Sequence, residues 1–336
     1  MKKILSVSAI MASVTASAVA ANLENPLYLP ASGEIYSKTT FGIMYKVTDG
    51  TDNQRWRDHN GKVEFPIWRP MQDFGYGITD RWAIQSSFGY TYDYDIDRKG
   101  FHLGRIGLNY RVIKDLGGFV WDLYGDFHLG GIEKMRGSLE MSPVDPGQFV
   151  FSYDNYSNGR WGGHFGTRFG HTWSKLTASL FVEGLRTWGN HNNEIDISVL
   201  RPLFGPYGAI LPNKISVDVK STWEINAGAN VFYQMTNRWS GGLGFKYNYH
   251  ATNGLDAVHT ELPAAVQPYI NGLLSEYKSM KDHFNEYILG LTIAYQLRDG
   301  AQIAWYLEDT YDTGARLSAN TTDLKVETGL RFNFAF

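Results

Sequence analysis

Two histidines and two aspartates have a spacing that could support acid–base or metal chemistry. Asp122, Asp126 and His128 alternate with apolar residues, so a strand would place them on one face, and His164 relates to its own neighbours in the same way. Imidazole titrates near neutral pH and ligates metals, and a nearby carboxylate can orient it. The alternative is that both histidines are hydrogen-bonded wall residues of a charged interior, which is the commoner situation.

A serine offers a second kind of chemistry. The stretch Asn-Tyr-Ser-Asn-Gly at 155–159 resembles the His-x-Ser-Asn-Gly stretch of outer-membrane phospholipase A, a twelve-stranded barrel family that uses the histidine as base and the serine as nucleophile. Here Asn155 occupies the histidine position, and its amide cannot accept the proton of Ser157. We interpret the likeness as coincidence, so that Ser157 would need a different base in any enzyme.

No other motif points to catalysis. The sequence contains no nucleotide-binding loop, no paired metal-ligand motif and no hydrolase signature, so we expect no catalytic residue, no metal and no cofactor. Lys and Arg number 31 against 34 Asp and Glu, without a basic block, which argues against nucleic acid as a partner.

Charged residues recur at every second position of many segments, opposite apolar residues. The basic members of this set are Lys38, Lys46, Arg105, Arg111, Arg160, Arg168, Lys246, Lys325 and Arg331. The acidic members are Asp93, Asp122, Asp126, Glu183, Glu224, Glu286, Glu308, Asp323 and Glu327. Such an interior is either a wet pore lined by both signs or a network of paired charges that blocks passage, and the sequence leaves both open.

The elements that position these residues are strands with one apolar and one polar face. In the last one, Leu324, Val326, Leu330, Phe332 and Phe334 alternate with polar or small residues, a period of two that is typical of a strand between oil and water. Twelve such segments are separated alternately by short and long connections, which is typical of tight periplasmic turns and long external loops. The short ones are 79–81, 113–118, 174–175, 235–238 and 298–300, and the long ones are roughly 48–61, 94–100, 131–159, 188–219, 251–284 and 310–321.

This pattern predicts an all-β fold, a transmembrane antiparallel up-and-down β-barrel of about 12 strands. The chain ends on Phe336, and in this it resembles Gram-negative outer-membrane proteins, whose final strand ends in an aromatic residue that the assembly machinery reads. The resemblance implies that the outer-membrane assembly machinery and outer-membrane lipid or lipopolysaccharide are partners. One strand is irregular: its apolar residues change phase within 63–78, and a bulge near Pro66 or Pro70 would reconcile the two halves.

The amino terminus predicts export. Lys2 and Lys3 precede an apolar stretch that ends at the small-x-small site Ala18-Val19-Ala20, so we expect residues 1–20 to be a cleaved signal peptide. Residues 21–33 are then a periplasmic segment and residues 34–336 the barrel. The chain has no cysteine, so an exported fold must be held together by other means, such as a closed hydrogen-bonded barrel.

The fifth long loop contains a candidate helix. Ile270, Leu273, Leu274 and Tyr277 follow helical spacing, and Pro268 suits a first turn. The helix is either a lid folded over the mouth of the barrel or a cap that merely covers apolar residues at the rim.

The sequence therefore favours a passive outer-membrane channel for small hydrophilic solutes, with a narrow, charge-balanced lumen. Twelve-stranded families include nucleoside channels and acidic-oligosaccharide porins, and for the second we would expect an arginine-dominated lumen, unlike the even count here. A closed structural or interaction barrel with functional external loops is the alternative, and an outer-membrane lipid hydrolase is a third hypothesis.

Overall fold

The computed structural model describes most of the chain that follows residue 21. The described residues are 22–48, 67–93, 98–130, 136–141, 149–153, 160–252, 255–258, 260–264, 266–272, 282–316, 319–320 and 323–336. The predicted signal peptide and residues 155–159 lie outside these ranges. No helix among the described residues is both long and apolar enough to cross a membrane.

Twelve antiparallel strands close into a barrel, as predicted. They are β1 (Ile35–Thr48), β2 (Ile67–Gly77), β3 (Trp82–Asp93), β4 (Arg98–Leu116), β5 (Phe119–His128), β8 (Gly162–Trp173), β9 (Leu176–Thr187), β12 (Thr222–Gln234), β13 (Trp239–Thr252), β15 (Asp282–Arg298), β16 (Ala301–Arg316) and β18 (Asp323–Ala335). Strand β1 pairs with β18 from Tyr36 opposite Ala335 to Thr48 opposite Asp323, which closes the ring. Phe336 adds two backbone hydrogen bonds with Ile35.

Five short connections join strands at one end of the barrel, here called the short-turn end. Gly117 and Gly118 form one of them with φ of +62° and +92°, the conformation that a two-residue hairpin turn requires. The opposite, long-loop end carries the long connections. The predicted alternation holds in part: the connections after β1, β5, β9 and β13 are long. The connection between β3 and β4 spans only 94–97 and that between β16 and β18 only 317–322, because β4 and β16 extend into the predicted loops 94–100 and 310–321.

The two faces of the wall have opposite chemistry. Large apolar side chains such as Phe165 and Leu180 are more than 60% exposed on the outside, while Asp122, Gln302 and Asn333 are buried inside. Tryptophans lie near both ends of the wall, among them Trp82, Trp173 and Trp239 beside tight turns. An apolar outer belt with aromatic residues at its edges is suited to lipid.

Strand β2 corrects one expectation. Its pairing with β1 keeps a single register from Ile67 to Tyr76, so there is no bulge near Pro70, and Pro66 lies outside the described residues. Trp68, Phe74 and Tyr76 all lie on the outer face, whereas Ile67 is buried. The pairing with β3 is interrupted between Trp68 and Met71, where the proline has no N–H to donate, and this interruption accommodates Pro70 without a change of phase.

Three of the long loops build a second sheet that was not predicted from the sequence. Its strands are β6 (Arg136–Met141), β7 (Phe149–Tyr153), β10 (Asn190–Asp196), β11 (Lys214–Val219) and β14 (Leu255–Val258), in the order β14-β11-β10-β6-β7. A 3₁₀ segment over Ser198–Ile210 and a helical stretch at 267–272 accompany it. We call this unit the cap. A further two-residue strand, β17 (Ala319–Asn320), pairs with β16.

Candidate functional site: the barrel lumen

The amino-terminal residues 22–34, here called the N-terminal segment, lie inside the short-turn end of the lumen. Asn22 donates to Gln234 at 2.9 Å and Ser240 at 3.1 Å, and accepts from Gln302 at 2.9 Å. Farther along, the carbonyl of Leu27 accepts a 2.6 Å bond from Arg111, on the other side of the barrel. The segment assigned from sequence to the periplasm therefore crosses the lumen before entering β1.

Glu24 is the main anchor of this segment. Its carboxylate contacts Lys38 at 3.1 Å and Arg331 at 3.1 Å, and it accepts a 2.8 Å bond from Asn333. Burial by itself would raise the pKa of Glu24, but the positive charges of Lys38 and Arg331 and the amide of Asn333 lower it to about 2. The carboxylate is therefore charged at neutral pH and holds two lumenal cations.

Above the N-terminal segment the lumen contains a cavity of about 660 Å³. Five lysine or arginine side chains and five carboxylates line it, together with His164; the lysines, arginines and acids are Lys38, Arg105, Arg168, Lys246, Arg331, Glu24, Asp73, Asp126, Glu183 and Glu308. One side of the wall is open at two glycines, Gly242 of β13 and Gly290 of β15, which present no side chain. A Cβ placed on Gly290 would meet its nearest atom, Glu308 Cγ, only at 3.7 Å, so the space beside this glycine is open.

Two of the predicted lumenal aspartates, Asp122 and Asp126, are held in two charge clusters, whereas the side chains of Asp93 and Asp323 lie outside the described part. In the first, the fully buried Asp122 accepts hydrogen bonds from Arg111 at 2.8 Å and from Arg168 at 2.7 Å. Both guanidinium groups thereby lose freedom to reach the cavity axis, and the paired charges stiffen the wall.

The second cluster is built on the two histidines that suggested acid–base chemistry. His164 lies between Asp126 at 2.8 Å and Glu183 at 3.3 Å, and His128 contacts Asp126 at 3.1 Å. Arg105 completes it at 3.9 Å from Asp126. Among the described residues, no serine, threonine or other nucleophile is hydrogen-bonded to His164, and no group of three or more candidate ligands is arranged to hold a metal ion. His164 is a hydrogen-bonded residue of the wall, and His128 is in ionic contact with Asp126 beside it.

A third cluster lies toward the long-loop end. His250 reaches Glu224 at 3.3 Å and Glu286 at 2.7 Å, and Lys325 lies 3.6 Å from Glu286. Both glutamates and Lys325 are among the lumenal residues predicted from sequence, but His250 is not. Its position two residues after Asn248 on an alternating strand places it on the same face, and this is the signal that could have found it.

The remaining predicted residues are distributed along the wall. Glu327 pairs with Arg69 and accepts a 2.7 Å bond from Tyr306, while Glu308 lies 3.3 Å from Arg331. Near the rim, Arg160 donates to the carbonyl of Lys220 at 3.0 Å. The backbone of Lys46 belongs to β1, but its side chain lies outside the described part.

Arg69, Asp73 and Glu24 are lumenal residues that sequence reasoning missed. Arg69 and Asp73 share their phase with Ile67, and the assumed bulge in β2 obscured that phase. Glu24 precedes the first strand, where alternation carries no information.

The candidate lid belongs to the cap. Ile270 is 1% exposed and packs with Val266, Leu200, Ile215 and other apolar residues of the cap core. Its apolar partner is thus the second sheet, and Leu273, Leu274 and Tyr277 lie outside the described residues.

Comparisons with known proteins agree with the architecture. No protein-family model matches the sequence, and a search of curated proteins finds no match. An outer-membrane channel from Pseudomonas putida F1 superposes with a TM-score of 0.54 at 10% identity, over 92% of this chain and 97% of that one. Two other channels superpose with lower TM-scores. For the NanC porin the TM-score is 0.36 at 10% identity, over 87% of this chain and 98% of that one. For the CymD monoaromatic hydrocarbon channel the TM-score is 0.40 at 8% identity, over 91% of this chain and 89% of that one. The fold of this chain is that of outer-membrane β-barrels.

Proposed function

We propose that this protein is an outer-membrane channel through which small hydrophilic solutes pass passively. The observation that carries the proposal is the 660 Å³ cavity inside a closed barrel, with its polar lining and its open wall at Gly242 and Gly290. A lining of charged and polar side chains keeps such a cavity hydrated, which a passage for hydrophilic solutes requires.

The lumen is expected to be only weakly ion-selective. Five lysine or arginine side chains and five carboxylates line the cavity, so the net field along it is small and salt screens what remains. In this proposal the clusters of histidines and carboxylates stabilise the barrel wall, and no enzymatic step is assigned to them.

Passage is limited at the short-turn end by the N-terminal segment. Ile270, the described member of the candidate lid, packs into the cap core, while Glu24 and Leu27 lie across the lumen. A solute must either pass beside residues 22–34 or wait for them to move.

Planar-bilayer recording tests the proposal. Refolded protein with an intact N-terminal segment should give small, weakly selective conductance steps, and a variant that begins at residue 31 should give larger ones. Ala31 is retained because its carbonyl packs against Gly77 at the end of β2. Silence from both proteins, with folding verified by heat-modifiable migration on gels, would reject the channel.

The second candidate function, an interaction barrel, rests on the cap. Leu203, Tyr207 and Ile210 of the 3₁₀ segment and Tyr269 are about half exposed, although the cap has an apolar core of its own. Exposed apolar residues on a rigid external unit suit contact with another molecule. This function predicts no conductance from the intact protein or from the truncated one.

Export by cleavage of residues 1–20 and insertion into the outer membrane are common to both candidates. Intact-mass measurement of the purified protein tests the cleavage.

A further inference from the structure

Lys246 differs from the other cations of the cavity. Lys38 and Arg331 contact Glu24, Arg105 contacts Asp126, and Arg168 contacts Asp122, each within 4 Å. Within the part of the chain that the structure describes, the Lys246 ammonium has no carboxylate within that distance. It lines the cavity from the middle of β13 and is half-buried.

The reason lies in its neighbours. The residues directly opposite Lys246 on the flanking strands are Gly228 and Ile288, which carry no charge. Glu183, whose charge acts on Lys246 through space, is already held by Tyr124 at 2.9 Å, Asn226 at 3.1 Å and His164 at 3.3 Å. Glu183 thus has three other partners at closer range, and Lys246 is not needed to stabilise its charge.

Asp73 is the fifth acid of the cavity, so its charge equals that of Lys246 in number, but its surroundings differ from those of the lysine. Lys38 lies directly opposite it on β1, and the hydroxyl of Ser87 donates to its carboxylate. The negative charge of Asp73 is therefore offset by these two neighbours, on a part of the wall that is remote from β13. The charge of Lys246 is not compensated in this way.

The space around Lys246 is suited to a solute. Gly290 on the neighbouring strand leaves the wall open, and the side-chain oxygen of Asn230 lies over Gly244, the preceding residue on the same face as Lys246. Asn230, Tyr124 and Thr292 line the same cavity and can hydrogen-bond hydroxyl groups.

We propose that Lys246 binds the carboxylate of a small, hydroxyl-bearing organic monoanion on its way through the cavity. This rests on the proposed channel function and names the solute class. A single ammonium matches a single negative charge, and the neutral remainder of the solute meets the open wall at Gly290. An entirely compensated lumen would not distinguish such an anion from a neutral polyol of the same size.

Gluconate and sorbitol form a matched pair of probes, since both are six-carbon polyhydroxyl chains and only one carries a carboxylate. Proteoliposomes that contain the full mature chain are loaded with both, each with a different radiolabel, and the ratio of their efflux rates is measured. Lys246→Gln should lower the gluconate-to-sorbitol ratio by about fivefold, the scale of one partly solvated ion pair. Lys246→Arg should keep the ratio. Lys325→Gln removes the same charge from a lysine that is already paired with Glu286, so it should change the ratio far less.

The outcomes separate the two proposals. If sorbitol and gluconate both leave and Lys246→Gln does not change the ratio, the anion site is rejected and the channel stands. If neither solute leaves vesicles that contain folded protein, the channel is rejected, and the site with it. An equal loss in Lys325→Gln and Lys246→Gln would show that total lumenal charge decides the ratio, and would also reject the site.

Discussion

Neutralising Glu24 should release the N-terminal segment from the lumen. The substitution Glu24→Gln keeps the shape of the side chain and one acceptor for Asn333, but removes the charge that holds Lys38 and Arg331. The barrel strands keep their pairing, because the substitution weakens only the attraction between the segment and the wall.

The size of the effect follows from the pKa of Glu24. Its fall from 4.5 to about 2 on burial between the two cations corresponds to about 3 kcal/mol of stabilisation at neutral pH. Part of this is recovered in the variant, since Glu308 lies 3.3 Å from Arg331 and Asp73 lies opposite Lys38. We therefore expect docking of the segment to weaken by about 1–3 kcal/mol, a factor of about 5 to 150 in its equilibrium.

Cysteine labelling measures this equilibrium directly, because the chain has no cysteine of its own. Leu23 is 8% exposed in the docked segment, so Leu23→Cys should react slowly with a maleimide and much faster when Glu24→Gln is added. Lys114→Gln breaks the exposed ion pair with Asp80 at the same end of the barrel and serves as the control. Equal labelling rates with and without Glu24→Gln would refute the role of Glu24 as the anchor.

Three further perturbations test the lumen and the wall. Because the pKa of Glu24 is lowered in the folded state, its stabilisation is present above pH 4.5 and is lost as pH falls from 4.5 toward 2. Leu23→Cys should therefore react faster with a dipyridyl disulfide as the pH is lowered over that range. Glu24→Gln should abolish this pH dependence. Gly290→Leu should slow sorbitol efflux severalfold, because the new side chain fills open space in the cavity. Gly184→Leu, on the lipid face, should leave the efflux rate unchanged. Equal effects of the two substitutions would mean that the solute does not pass beside Gly290. Leu180→Lys should lower the free energy of unfolding by about 2–4 kcal/mol if it lies near the bilayer midplane, while Gln85→Lys in the cavity should be tolerated; urea titration in lipid vesicles measures both.

Strand number, phase and turn positions were predictable because they are local. The contrast between lipid and water repeats every two residues, so Leu180 and Phe165 report their face without reference to any other strand. The phase error in β2 arose where Pro70 stands among mixed neighbours and a bulge was the simplest local explanation. The structure keeps the register and gives up hydrogen bonds to β3 there instead.

The N-terminal segment and the cap depend on contacts between distant residues. Glu24 and Arg331 are 307 positions apart, and β6 pairs with β10 across nearly sixty residues that include two barrel strands. Alternation shows that Lys246 faces inward, but not that it lacks a carboxylate, because pairing depends on which residues the register brings opposite it. The inward phase of Lys246 was therefore readable from the sequence, and its lack of a carboxylate partner among the described residues was not.

The wall charges explain how the N-terminal segment can be both firmly held and able to leave. A buried cation that loses its only carboxylate costs several kcal/mol, which would fix the segment permanently. Here each cation that Glu24 holds has a second acid in the wall: Glu308 is already in contact with Arg331, and Asp73 is the cross-strand neighbour of Lys38. When the segment withdraws, we expect Lys38 to exchange Glu24 for Asp73, which lies directly opposite it on β2. Of the five lysine and arginine side chains described around the cavity, Lys246 is then the one without a carboxylate partner, and this is the state in which a solute would meet that lysine.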